Sequence, residues 1–229
     1  GMEEDEPIEH NMISKAIENA QRKVEGYHFD IRKHLLEYDD VMNKQREVIY
    51  RQRREVLEGT DLRLIVDDMI NDLVDRVVAE FAREKVPSED WDWDEIAARM
   101  AELFNLRLGW SDDDRLNLNA DLLFEKLKEE VSAAYRHQEE TNGEEQMRHL
   151  ERIVLLQMVD THWKEHLLNM DHLKEGIGLR GYGQKNPLNE YKREGFDLFM
   201  SMIETVKEQT VSTLLRVQVV QPDEVARLE

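Results

Sequence analysis

Residues 11–58 read NMISKAIENAQRKVEGYHFDIRKHLLEYDDVMNKQREVIYRQRREVLE. The stretch contains no proline, and apolar or small side chains recur in it at helical steps of three, four or seven residues. They are Ile17, Ala20, Val24, Tyr27, Ile31, Leu35, Tyr38, Met42, Ile49 and Val56, with Gln45 and Gln52 filling the same phase. This spacing predicts one helix over 11–58, roughly 70 Å long, with Gly26 as a place where it bends. One compact domain cannot bury so long a helix, so we expect several units to pack along it.

The composition of the whole chain limits the classes of function. The 229 residues include 31 Lys+Arg and 51 Asp+Glu, for a net charge of −20, and no cysteine. Disulfide frameworks and Cys-ligated metal sites are therefore excluded. No segment approaches the ~20 consecutive apolar residues that cross a bilayer, so we expect a soluble, intracellular protein. The acidic excess argues against nucleic acid as a partner, because binding to phosphates needs a basic face.

The acidic excess is concentrated in residues 59–143, which hold 10 basic and 22 acidic side chains. This step in composition predicts a separate module. Apolar spacing and capping residues predict a small bundle of three or four helices within it. The predicted boundaries are Leu62 to about Val86-Pro87, Asp92 to Phe104 with a capping box to Glu95, a short turn capped by Ser111, and Asn119 to Asn142-Gly143.

Residues 144–220 predict an antiparallel helical hairpin. Its first helix runs from Glu144 to about Glu175, and Asn186-Pro187 has the form of an N-cap for the second. The side chains expected to face inward on the first helix are Leu150, Ile153, Val154, Gln157, Met158, Thr161 and Leu168. The predicted fold class is all-α, with a long helix (1–58), a small bundle (59–143), a hairpin (144–220) with its tip at 176–187, and a tail (221–229).

Two short motifs suggest chemistry. His162, Glu165 and His166 spell H-x-x-E-H, in which two His on one helix face and a Glu could serve a zinc hydrolase. The third ligand is unspecified, so we favour two surface His with Trp163 packed inward. Residues 176–181 spell G-x-G-x-x-G, but the strand that a dinucleotide site needs before it is not predicted.

The glycine-rich tip is either a solvated turn or a contact site. It carries Arg180, Tyr182 and Lys185 and no acidic residue, an exception in a chain of net charge −20. A tyrosine can touch a passing polypeptide through its ring and hydroxyl with little specificity. No G-x-x-x-x-G-K-[ST] loop occurs in the sequence, so a phosphate cradle of that type is not predicted.

Two blocks of the sequence match the residue pattern of a known protein family. The early block comprises Ala16-Ile-Glu-Asn-Ala-Gln-Arg-Lys-Val24, Phe29-Asp-Ile-Arg-Lys33 and Leu36-Glu-Tyr-Asp-Asp-Val41. The late block comprises Trp163-Lys-Glu-His-Leu167, Met170-Asp171, Leu179-Arg-Gly-Tyr182, Gln184-Lys185, Pro187 and Glu190-Tyr-Lys-Arg-Glu194. Both blocks resemble the SecA family of bacterial preprotein-export ATPases, and the resemblance covers essentially the whole chain.

The resemblance implies a role for each part. The long helix would be the helical scaffold, which packs along two nucleotide-binding motor domains and a preprotein cross-linking domain. Residues 59–143 would be the helical wing, and the hairpin the two-helix finger, whose loop enters the cytoplasmic mouth of the SecY channel. Tyr182 would contact the translocating chain, with Arg180, Gln184 and Lys185 as its loop neighbours.

The function implied is the non-catalytic part of a protein-translocating motor that couples ATP-driven motion to preprotein movement. This chain would need no cofactor or metal and would not hydrolyse ATP, since ATP and Mg²⁺ belong to motor domains outside this sequence. The implied partners are SecY, the preprotein, the protein's own motor and cross-linking domains, and a second copy in a homodimer. The implied location is cytoplasmic, peripheral at the inner face of the membrane. Without those partners the long helix should expose apolar surface. A free-standing helical adaptor and the zinc hydrolase stand as alternatives.

Overall fold

The computed structural model describes residues 11–59, 61–83, 86–178 and 186–217, and within them every regular element is helical. The helices are α1 (Asn11–Glu58), α2 (Leu62–Phe81), α3 (Trp93–Phe104), α4 (Asp112–Arg115), α5 (Ala120–Asn142), α6 (Glu144–Ile177) and α7 (Pro187–Leu214), with a 3-10 turn at Ser88–Asp90. The all-α prediction is confirmed. The predicted tail and most of the predicted tip lie outside the described residues. None of the described helices is long and apolar enough to cross a membrane.

The helix boundaries follow local capping rules. α1 is one helix of 48 residues that continues through Gly26, as the apolar spacing predicted. Asn119 accepts a hydrogen bond from the Leu122 backbone N–H at 2.8 Å, and Asn186 caps α7 ahead of Pro187. Gly143 separates α5 from α6 with a φ of +88°, a value that glycine adopts without strain.

The largest apolar core crosses the boundary predicted at residue 143. It joins the buried faces of α2, α3 and α5 to Met147 and Val154 of α6 and to Val211 and Leu214 of α7. Two smaller cores lie between the hairpin and α1, one around Ile49 and the other at the tip end of the hairpin. The bundle and the hairpin therefore share buried surface, while the division of the chain into domains stays a prediction.

The inward face predicted for α6 is wrong in part. Ile153 and Leu168 are 45% and 56% exposed. The buried residues are Met147, Glu151, Val154, Leu155, Val159, Trp163, His166, Met170 and Ile177. Two polar residues, Glu151 and His166, occupy the buried stripe, and the sequence analysis had expected His166 at the surface. Because α6 packs against α7, α5, α2 and α1, its buried stripe is set by several partners at once.

Candidate functional site

The predicted tip residues Arg180, Tyr182, Gln184 and Lys185 lie outside the described residues. The structure does describe the helices that flank them. α6 ends at Ile177, and α7 begins directly after its cap at Asn186.

The tip end of the hairpin packs against the middle of α1. Ile177, Met170 and Tyr191 form a buried cluster there, and the rings of Tyr38 and Tyr191 lie 4.8 Å apart between centroids. The base of the predicted tip is thus held against α1.

A buried polar contact joins α1 to both helices of the hairpin. The Gln45 side chain is 7% exposed, and its Nε2 donates to the Gly195 carbonyl of α7 at 2.8 Å. Its Oε1 lies 2.8 Å from Nε2 of His166 on α6. The carbonyl can only accept, so the amide nitrogen faces it and the amide oxygen faces the imidazole. His166 Nε2 therefore carries the hydrogen and donates to Gln45.

The surroundings of His166 favour its neutral form. His166 is 2% exposed. Its ring stacks on Trp163 with 5.5 Å between ring centroids and meets Phe199 edge-on with 5.6 Å between centroids. Burial lowers the pKa of His166, because the charged imidazolium loses its hydration there. The expectation of two surface His is therefore wrong for His166, whereas the inward packing of Trp163 is confirmed.

The H-x-x-E-H residues do not converge on one point. His162 directs Nδ1 to Glu165 at 3.1 Å and Nε2 to Gln209 at 2.9 Å, whereas His166 turns its Nε2 to Gln45. Among the described residues no group of three or more His, Cys, Asp or Glu could hold a metal ion. This geometry gives no support to the zinc alternative.

The first half of α1 extends beyond the hairpin. Every residue from 11 to 36, here called the exposed arm, is solvent-exposed, over a length of about 40 Å. Its apolar side chains include Ile17 at 53%, Val24 at 54% and Leu35 at 50% exposure. They continue the phase of Tyr38, Met42 and Ile49, which pack on the hairpin. The apolar surface expected on α1 is present, and it lies in line with an existing helix seam.

The exposed arm also differs in charge from the rest of the chain. It contains five basic and three acidic side chains, whereas the whole chain has a net charge of −20. An open groove of about 630 Å³ lies where the arm meets α7, lined partly by Phe29, Leu36, Asp40 and Lys192. A partner that covers the arm would meet an apolar stripe flanked by a mildly basic surface.

Ionic and hydrogen-bonded contacts fix the bundle of residues 59–143 to both hairpin helices. On α6, the fully buried Glu151 accepts from the Tyr135 hydroxyl of α5 and pairs with Arg148 at 3.2 Å. The Arg63 guanidinium of α2 lies 4.0 Å from the centroid of the Tyr135 ring. On the α7 side the contacts are Arg76 with Glu204 and Glu208, Arg99 with Glu208, and Lys207 with Asp72.

Burial sets the protonation of the Tyr135–Glu151 pair. Desolvation raises the pKa of Glu151, while the hydrogen bond from Tyr135 and the charges of Arg148 and Arg63 oppose that rise. The pKa of Tyr135 is also raised, by desolvation first and then by its bond to Glu151. The tyrosine therefore stays protonated and serves as the donor.

A comparison with known families assigns the chain to one of them. The family model described as the SecA wing and scaffold domain matches residues 7–218. The chain belongs to this SecA family.

Its relatives are named Protein translocase subunit SecA. The one from Desulfotalea psychrophila is 58% identical over 229 residues, covering 100% of this chain and 27% of the relative. Those from Syntrophobacter fumaroxidans and Pelobacter propionicus are 53% and 50% identical, each over 100% of this chain, and 27% and 25% of their own lengths are covered. The chain thus spans about a quarter of the length of these relatives.

Sequence reasoning missed the buried polar residues of this SecA chain. Gln45 was visible as a polar side chain in an apolar phase, which is the signal that marks a buried hydrogen-bonded position. Its partners His166 and Gly195 lie 121 and 150 residues away, and no local pattern points to them. Tyr135 and Glu151 likewise lie on different helices, on either side of Gly143, so helical spacing does not relate them.

Proposed function

We propose that this chain is the non-catalytic part of a SecA-type protein-translocating motor. In this proposal α1 receives movement from ATP-driven motor domains and passes it to the hairpin, which moves a preprotein through the SecY channel. One observation carries the proposal. A single helix packs on the hairpin with one half and exposes an apolar stripe of the same phase on the other.

The exposed arm is the surface on which the motor and preprotein cross-linking domains would pack. Contiguous apolar surface of this kind marks a site of protein–protein contact. The helix runs without interruption from the arm into the packed half, so a displacement of the arm moves the part of α1 that contacts the hairpin. The apolar seam around Ile49 and the Tyr38–Tyr191 contact would pass that displacement to α6 and α7.

The tip of the hairpin is the part that would meet the preprotein. Tyr182 would contact the translocating chain through its ring and hydroxyl, and Arg180, Gln184 and Lys185 would line the same loop. A tyrosine suits this role because it contacts apolar and polar segments alike. The support for this assignment is the family membership and the placement of these residues between α6 and α7.

The remaining parts of the proposal concern location and chemistry. The assembled motor would act at the cytoplasmic face of the membrane, bound peripherally to SecY, and a homodimer would be one of its states. ATP and Mg²⁺ would bind in its motor domains, so this chain alone would turn over no ATP.

Photocross-linking from position 182 tests the proposal. The probe is placed at Tyr182 of the intact translocase that contains this chain, and export of a preprotein is started and then stalled. We expect cross-links to both SecY and the preprotein. The matched control carries the probe at Leu122 on α5, which is 49% exposed, and should give no link to the preprotein. Intact export with links from position 182 to neither partner would refute the role of the tip.

A further inference from the structure

Among the described residues of α1, one buried side chain in the seam with the hairpin is polar. The buried residues of α1 are Gln45, Ile49 and Val56. Gln45 uses both ends of its amide, donating to Gly195 on α7 and accepting from His166 on α6. We call Gln45, Gly195 and His166 together the register contact. A Cβ added at Gly195 would lie 2.7 Å from Cε of the buried Met170, so the absence of a side chain there suits the close packing of the helices.

The stripe of largely apolar positions along α1 repeats every seven residues. Two series account for most of the stripe, namely Leu35, Met42, Ile49 and Val56, and Ile17, Val24, Ile31, Tyr38, Gln45 and Gln52. A slide of α1 by seven residues, about 10 Å, would replace each member by the next of its own series. Val56 would then take the place of Ile49, one β-branched side chain for another. Apolar packing alone therefore discriminates weakly between these axial positions.

Gln45 makes both displaced axial positions of α1 less favourable than the native one. A slide in one direction would bring Gln52 to the place of Gln45 beside His166 and Gly195, but it would bury Gln45 in the apolar cluster against Tyr191, where its amide would lack a partner. A slide in the other direction would place Tyr38 beside His166 and leave the carbonyl without the amide donor. A buried polar group without its partner is costly, and single buried amides are known to fix the register of packed helices.

Two further polar contacts between α1 and the hairpin are weaker determinants of position. Arg53 pairs with Asp160, and Lys174 pairs with Asp39 at 3.3 Å, but all four side chains are substantially exposed. Exposed ion pairs of long side chains contribute little and are screened by salt.

We infer that Gln45 and His166 are positioning residues that fix the axial register of α1 against the hairpin. Movement of the exposed arm is then delivered to the tip instead of being lost as slippage between helices. The functional part of this inference rests on the proposed function, whereas the register itself can be measured on this chain alone.

Spin-label distances test the register. The sequence contains no cysteine, so labels can be attached at two introduced sites, Leu36 on α1 and Leu168 on α6, both exposed. The test variant is Gln45→Leu, which keeps the approximate volume of the side chain. The matched control is Gln52→Leu, the same change one heptad further along the same series at an exposed position.

We expect one narrow distance distribution in the parent chain and in the control. Gln45→Leu should lower the ratio of native to displaced register about 5- to 150-fold and add a population shifted by up to about 10 Å. The double variant Gln45→Leu/His166→Leu should show the same added population, because it removes the unpaired imidazole without restoring the register contact. A single unshifted distribution in Gln45→Leu, or its recovery in the double variant, would overturn the inference.

A second measurement tests the consequence for transport. In the intact translocase, Gln45→Leu should lower the preprotein moved per ATP hydrolysed roughly in proportion to the displaced fraction, while Gln52→Leu leaves this ratio unchanged. An unchanged ratio in Gln45→Leu would refute the link between register and coupling. Absence of cross-links from position 182 would instead refute the proposed function and leave the distance result standing.

Discussion

The hydroxyl of Tyr135 is the donor to a fully buried carboxylate, and removing it should destabilise the fold measurably. Tyr135→Phe deletes one oxygen atom and leaves the ring in place, with the Arg63 guanidinium 4.0 Å from its centroid. Glu151 then keeps Arg148 at 3.2 Å as its partner. No cavity of consequence forms, so the effect reports the hydrogen bond.

The magnitude follows from the charge of the acceptor. A hydrogen bond to a charged group contributes about 1.5–3 kcal/mol, so we expect a loss of about 2 kcal/mol in the free energy of unfolding near pH 8. Burial already raises the pKa of Glu151, and the Tyr135 hydroxyl opposes this rise. In Tyr135→Phe the pKa of Glu151 therefore rises further, because the hydroxyl that opposed the rise is gone. A carboxyl with a raised folded pKa loses stability as pH increases from its unfolded value through its folded one.

Urea unfolding at about pH 5 and about pH 8 checks both the size and the sign. The loss of unfolding free energy in Tyr135→Phe should be larger at the higher pH, because there the Glu151 carboxylate stays charged without the hydrogen bond from Tyr135. The control is Tyr50→Phe, at a tyrosine 55% exposed, which should change stability by less than about 0.5 kcal/mol. In a Glu151→Gln background the loss should shrink to about 1 kcal/mol. A loss at about pH 8 that is no larger in the parent than in the Glu151→Gln background would refute a charged acceptor.

Three further predictions concern single positions. Burial lowers the pKa of His166, so below the ordinary imidazole pKa of 6.5 the unfolded chain binds a proton that the folded chain does not. The free energy of unfolding should therefore decline as pH falls through 6.5. Urea midpoints measured for His166→Leu should lack this part of the decline. Gly143→Ala should cost about 1 kcal/mol or more in thermal unfolding, since its φ is +88° and the new Cβ would lie 2.8 Å from Gln146 Oε1. Gly109→Ala, with open space around it, is the near-neutral control, and equal effects would contradict the strain argument. Gly26→Ala should raise helicity in the exposed arm by about 0.5–1 kcal/mol of local stability, visible by amide hydrogen exchange, without moving the midpoint of global unfolding.

Helix boundaries could be predicted from the sequence because the forces that set them are local. Asn119, Asn186 and Gly143 each act on backbone groups within a few residues, so their pattern is readable in one dimension. The long helix was predicted on similar grounds, from an apolar spacing held over forty residues without proline.

The buried polar contacts could not be predicted in the same way, because they depend on partners that only the fold brings together. No sequence pattern singled out Glu151, yet Tyr135 and two arginines converge on it. His166 was read as exposed, although α1 covers it with Gln45. The face of α6 was misassigned for this reason, since the two polar residues fall within its buried stripe.

The exposed arm has a consequence for helix–coil equilibrium. Starting a helix is the unfavourable step, and an isolated segment of this length in water is marginally helical. In α1 the packed half from Tyr38 onward already provides the nucleus, so the arm needs only propagation, one residue at a time, towards Asn11. Amide exchange protection along the arm should therefore rise steadily from its N-terminal end to Leu36. Any partner that binds the far end stabilises every turn between itself and the hairpin.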